Sequence, residues 1–73
     1  MPRISPISWK KLVMVFEKAG FVLDRQERDH LIYVKVGIKR PVVIPRHSSV
    51  PVFVIMNNLK TAMMTREEYF DLL

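Results

Sequence analysis

Residues 8–19 carry apolar side chains at helical spacing. Trp9, Leu12, Val13, Phe16 and Ala19 fall on one face, with Lys10, Lys11, Glu17 and Lys18 on the other. Ser8 stands where an N-cap belongs, and Gly20 supplies the left-handed residue that ends a helix. From Phe21 to Pro45 the period drops to two. Phe21–Gln26 and His30–Val36 read as two strands, with Pro41–Ile44 a short third one flanked by prolines. Gly37 marks a tight turn between the second and third. Helical spacing returns at Val52, Ile55, Met56, Leu59, Ala62 and Met63. Thr65-Arg66-Glu67-Glu68 is a capping box that opens a last short helix, with Tyr69, Leu72 and Leu73 free to pack back. The expected architecture is α+β, in the order α-β-β-β-α(α). A three-stranded antiparallel sheet carries its helices on one face, and residues 1–73 form a single domain.

Strand parity sharpens this picture. In the second strand Leu31, Tyr33 and Lys35 point one way, and His30, Ile32, Val34 and Val36 the other. Both sets are largely apolar, whereas a sheet covered on one side only should be polar on its open face. Val22, Ile32, Val34 and Val43 are therefore expected to form an apolar open face that meets a protein partner or a second copy of the chain. Trp9 and Tyr33 are expected in the core.

Composition narrows the function. Seventy-three residues leave no room for a separate cofactor domain, and the absence of cysteine removes disulfides, thiolate catalysis and cysteine-ligated zinc. The net charge is +5 and unevenly spread: residues 1–60 hold 11 basic and 4 acidic side chains, while 61–73 hold Arg66 against Glu67, Glu68 and Asp71. A small basic body suits a polyanion such as nucleic acid. The stretch Met1-Pro2-Arg3-Ile4-Ser5-Pro6 lacks the apolar run of a signal peptide, and no segment approaches the ~20 residues that span a bilayer. A cytoplasmic protein without membrane contact is expected.

Candidate chemistry rests on two histidines, the residue type that exchanges protons near neutrality. His30 opens the second strand beside Arg25, Arg28 and Asp29. In a meander, the start of the second strand lies near the end of the third, which brings Arg46-His47 toward His30. Two histidines without a third ligand do not make a zinc site, so no metal or cofactor is expected. Ser8, Ser49 and Ser48 lack the setting of a nucleophile. RNA, by contrast, brings its own nucleophile, the 2′-hydroxyl. A positioned histidine contributes roughly 10²–10⁴-fold by proton transfer, and Arg or Lys stabilise the phosphorane charge.

One family shares these residues. The run Ile7-Ser8, Leu12 and Phe16-Glu17-Lys18-Ala19-Gly20-Phe21 resembles the opening of the HicA (YcfA-like) toxins. So do Arg25-Gln26 before His30, Tyr33, Val43-Ile44-Pro45-Arg46-His47-Ser48 and the closing segment from Leu59 to Leu73. The resemblance implies a fold like that of double-stranded-RNA-binding domains and a metal-independent endoribonuclease acting on mRNA. It also implies a HicB-like antitoxin as partner and a general acid/base role for His30. Arg25, Arg28, Lys35, Arg46 and His47 are the expected RNA-binding groups. The chain departs from the family at identifiable places. Arg28-Asp29 replaces a usual Gly-Ser, Phe53-Val54 a usual Gly-Thr, Met63 a helix-ending glycine, and Asn58 an apolar residue. A non-catalytic RNA-binding or antitoxin-binding module is the alternative expectation.

Overall fold

The computed structural model describes residues 3–73; Met1 and Pro2, part of the N-terminal stretch considered above, lie outside the described residues. The elements run α1 (Trp9–Lys18), β1 (Val22–Glu27), β2 (His30–Val34), β3 (Val42–Pro45), α2 (Val52–Thr61) and α3 (Arg66–Leu72). This is the α+β order expected, with boundaries moved by a residue or two.

Local chemistry explains where each helix starts and stops. Ser8 caps α1, its hydroxyl accepting from the Lys11 amide at 3.4 Å. At the other end Gly20 adopts φ +100°, and two back-bonds close the turn: Gly20 N–H to Glu17 O, and Phe21 N–H to Phe16 O. The rings of Phe16 and Phe21 then meet edge to face at 5.4 Å, the apolar contact that accompanies such a terminus. Helix α2 ends by the same pair of bonds, Met63 to Lys60 O and Met64 to Leu59 O, but with Met63 rather than glycine at φ +56°. Its start at Pro51 has no side-chain cap. Helix α3 opens on the expected capping box between Thr65 and Glu68.

The sheet is an antiparallel meander in the order β1-β2-β3. Leu31 faces Ile44 and Tyr33 faces Val42, and these four join Leu12, Val15 and Phe16 of α1 and Ile55 and Leu59 of α2 in the core. Tyr69 of α3 completes it, fully buried. In β1 the pairing slips at Asp24, between Leu23↔Tyr33 and Arg25↔Ile32. This bulge puts Val22 and Arg25 on the same open face despite their odd spacing. Every residue of β1 is exposed, because no helix covers that edge of the sheet. Between β2 and β3, Ile38 N–H closes a turn onto Lys35 O at 3.0 Å, and Gly37 takes its positive φ of +92°.

The four positions assigned to the open face pair across the sheet, Val22 with Val34 and Ile32 with Val43. They differ in access. Ile32 lies between Arg25 and Val43 in the register and is only 6% exposed, whereas Val22 is 62% and Val43 37% exposed. The accessible apolar surface is therefore the rim of this face rather than its centre. Trp9 is half-buried at the edge of the core rather than within it.

Candidate functional site

A tight hairpin places His30. Glu27 and His30 are the last pair of β1 and β2, joined by the two-residue loop Arg28-Asp29. A loop this short between twisted strands needs a positive φ, and Arg28 supplies it at +56°. A side chain in that region costs roughly 1–2 kcal/mol relative to the right-handed one. Two hydrogen bonds hold the loop: Gln26 Nε2 donates to Arg28 O at 2.8 Å, and the Arg46 amide donates to Asp29 O at 2.8 Å. Arg28 thus holds a left-handed backbone of the kind glycine enters freely.

Across the sheet His30 faces Pro45, so Arg46-His47 follows directly beside it. His30 Nδ1 lies 3.2 Å from Asp29 Oδ1, and the imidazole is half exposed. At that distance the carboxylate forms an ion pair with the imidazole when the ring is protonated. Arg46 is positioned from two sides. Its amide is tied to Asp29, and its guanidinium carbon stands 4.9 Å from the centroid of the Trp9 ring. The Trp9 amide in turn donates to His47 O at 3.1 Å, which docks the start of α1 against the end of β3. Lys10 Nζ lies 5.8 Å from the same indole. A cation on an aromatic ring contributes about 0.5–1 kcal/mol at an exposed site.

The structure therefore gathers His30, Arg28, Arg46 and His47 at one corner of the sheet, with Asp29 and Trp9 as supports. Lys35 does not join them. It sits at the far end of β2, where Nζ donates to Ala19 O at 2.7 Å and lies 5.8 Å from the Phe21 ring. That is a cation on the last carbonyls of α1, a stabilising place for it. Arg25 is on the open face, but its guanidinium is already occupied by Glu27 and Asp24. Hydrogen bonds to Glu27 and then to Asp24 raise its pKa further, so it carries a charge that its neighbours largely neutralise. Among the described residues no group of three or more His, Asp or Glu gathers as a metal-binding set would.

Asp29 as the partner of His30 was readable from adjacency. The Arg46–Trp9 contact had no such signal, because the two residues lie in different elements and meet only when α1 docks on β3.

A half-exposed imidazole paired with a carboxylate and set beside cations can move a proton at a phosphodiester while its charge is offset. No helix among the described residues is long and apolar enough to cross a membrane. No curated protein and no solved structure matches the chain. One family model does, that of the HicA toxin of bacterial toxin–antitoxin systems, over residues 9–63. That span covers about three quarters of the chain and holds α1, the whole sheet, α2, and every residue of the corner around His30. The chain belongs to the HicA toxin family, and is the toxin component of a toxin–antitoxin pair.

Proposed function

We propose that this toxin is a metal-independent endoribonuclease that cuts mRNA, with His30 as its proton-transfer residue. The observation that carries this reading is the His30–Asp29 pair set beside Arg46, with the imidazole half exposed to solvent. His30 Nε2 takes the proton of a ribose 2′-hydroxyl as the 2′-oxygen forms its bond to phosphorus. The bond from phosphorus to the 5′-oxygen breaks, and that oxygen leaves with the proton held by the imidazolium. The products are a 2′,3′-cyclic phosphate and a free 5′-hydroxyl, so atoms and protons balance on one histidine. Arg46, fixed over Trp9, faces the extra negative charge of the phosphorane. Arg28 and His47 are near enough to hold flanking phosphates.

The cognate antitoxin is HicB-like in this reading, and it meets the open face of the sheet at the accessible apolar positions Val22 and Val43, beside Val34. Ile32 lies beneath and supports that surface. The setting is the cytoplasm, where mRNA and antitoxin are found.

Inducible expression of wild type and His30→Ala tests the enzyme. Growth arrest with mRNA loss for wild type, and neither for His30→Ala, supports it. If both chains bind RNA and neither cleaves it, the chain is a binding module and the catalytic reading fails. Val43→Lys, in turn, should weaken a measured complex with the antitoxin. Unchanged affinity would remove the open face from that interface.

A further inference from the structure

A second group of cations lies at the other end of the sheet. The loop between β2 and β3 and the C-terminal half of α2 border an open concavity of about 500 Å³, whose lining includes Lys39, Arg40, Lys60, Asn57 and Thr61. Among the described residues no carboxylate lines it. Lys39, Arg40 and Lys60 form no ion pair among those residues, in contrast to Arg25, which neighbouring carboxylates neutralise. The turn at Gly37 doubles the chain back and sets Lys39 and Arg40 opposite α2. Three like charges around one hollow repel each other unless an anion occupies it. The Asn57 amide and the Thr61 hydroxyl add neutral donors suited to phosphate oxygens or a ribose hydroxyl.

The spacing selects the kind of anion. Four strand steps at ~3.3 Å carry β2 from His30 to Val34, and the loop bearing Lys39 and Arg40 begins beyond that end, so the two basic regions stand more than about 13 Å apart. A free phosphate or a mononucleotide reaches only one of them, whereas a single RNA strand of several nucleotides reaches both. We propose that the Lys39–Arg40–Lys60 concavity is a second phosphate-binding site for the RNA strand, which holds the backbone away from the cleavage point. The proposal rests on the ribonuclease reading for its substrate, but concerns binding and not chemistry.

The test uses the full chain carrying His30→Ala, so that RNA survives the measurement. Its affinity for a 20-nucleotide single-stranded RNA is read by fluorescence anisotropy from 25 to 200 mM KCl, with and without Lys39→Gln, Arg40→Gln and Lys60→Gln together. Removing one cation from a phosphate lowers the log–log salt slope by about 0.7 for a single strand, so the triple change should lower it by roughly 2. Affinity near 100 mM should fall about 10- to 100-fold. Arg3→Gln, Lys11→Gln and Lys18→Gln together remove the same charge elsewhere, and should lower affinity far less. In the His30-containing enzyme the concavity variant should raise KM on that RNA and leave kcat unchanged, and a trinucleotide should be cut equally with and without it.

Equal slopes for parent and variant, or equal weakening by the Arg3/Lys11/Lys18 control, overturn the proposal. So does displacement of the RNA by millimolar mononucleotide alone, which marks a small-anion site. A variant that binds RNA normally but no longer holds the antitoxin marks a protein-docking patch, and this too overturns it. RNA binding that depends on the concavity in a wild-type chain that never cleaves would sustain this site and sink the catalytic reading.

Discussion

The two Schellman-type helix ends make a controlled experiment within one chain. Helix α1 closes on Gly20 at φ +100°, and α2 closes by the same pair of backbone bonds on Met63 at φ +56°. Only one of these positions is occupied by the residue that enters the left-handed region without strain. Met63→Gly should therefore stabilise the fold. Relief of the left-handed conformation returns roughly 1–2 kcal/mol. Extra freedom of glycine in the unfolded chain takes back about 0.4–1 kcal/mol. The Met63 side chain is 79% exposed, so its removal sacrifices little buried surface. The net expectation is a gain of about 0.5–1 kcal/mol, which in a domain of this size raises Tm by roughly 2–8 °C. Urea melts should show a higher midpoint with an unchanged slope. Met63→Ala is the control, because it deletes the side chain and keeps the strain. If Met63→Gly is no more stable than Met63→Ala, the assignment of strain to this helix end is wrong.

Other expectations follow from single contacts. Asn58 is buried at 6% exposure and its side-chain Nδ2 has no hydrogen-bond partner among the described residues, so Asn58→Leu should stabilise the chain by about 1 kcal/mol in the same melts. A destabilised variant would show that the amide finds a partner in solution. The Thr65 amide, then the Thr65 hydroxyl, hold Glu68 below its ordinary pKa. The stability that the ionised carboxylate contributes is therefore full above its unfolded pKa and lost as pH falls through the lower folded value. Wild type should exceed Glu68→Ala by more at pH 7 than at pH 3, and a gap independent of pH would contradict the capping assignment. Trp9 is a positioning residue for Arg46. Trp9→Leu should lower kcat on RNA about 2- to 5-fold, the size of one exposed cation–aromatic contact, with Trp9→Phe restoring most of it. An equal loss in both variants would point to general misfolding of the corner, visible in their melting curves.

Much of this fold was written in the periodicity. Each helix shows its apolar stripe, and runs of β-branched and aromatic residues mark the strands. Ser8, Gly20, Gly37 and the Thr65–Glu68 box mark boundaries by chemistry that acts over a few residues. The approach of Arg46-His47 to His30 was also legible, because a meander with short loops leaves few other arrangements. What the sequence hid was set by contacts between distant residues. The bulge at Asp24 shifts the faces of β1 without any glycine to announce it. Ile32 has the parity of an open-face residue, yet the strands on both sides shield it. Lys35 has a binding residue's chemistry, but its parity turns it toward α1, where the carbonyl of Ala19 takes it. Arg25 looked available for phosphate, and its two acidic neighbours occupy it instead. Arg28 and Met63, where the family resemblance leads one to expect glycine, both take a positive φ of 56°.

The most direct test of the central claim is cleavage of a defined RNA by the purified chain in EDTA, with end-group analysis of the products. The account predicts 2′,3′-cyclic phosphate and 5′-hydroxyl ends from wild type, none from His30→Ala, and none from RNA carrying 2′-deoxyribose at the cut site. Cleavage that persists in His30→Ala, or at the deoxyribose, would contradict it.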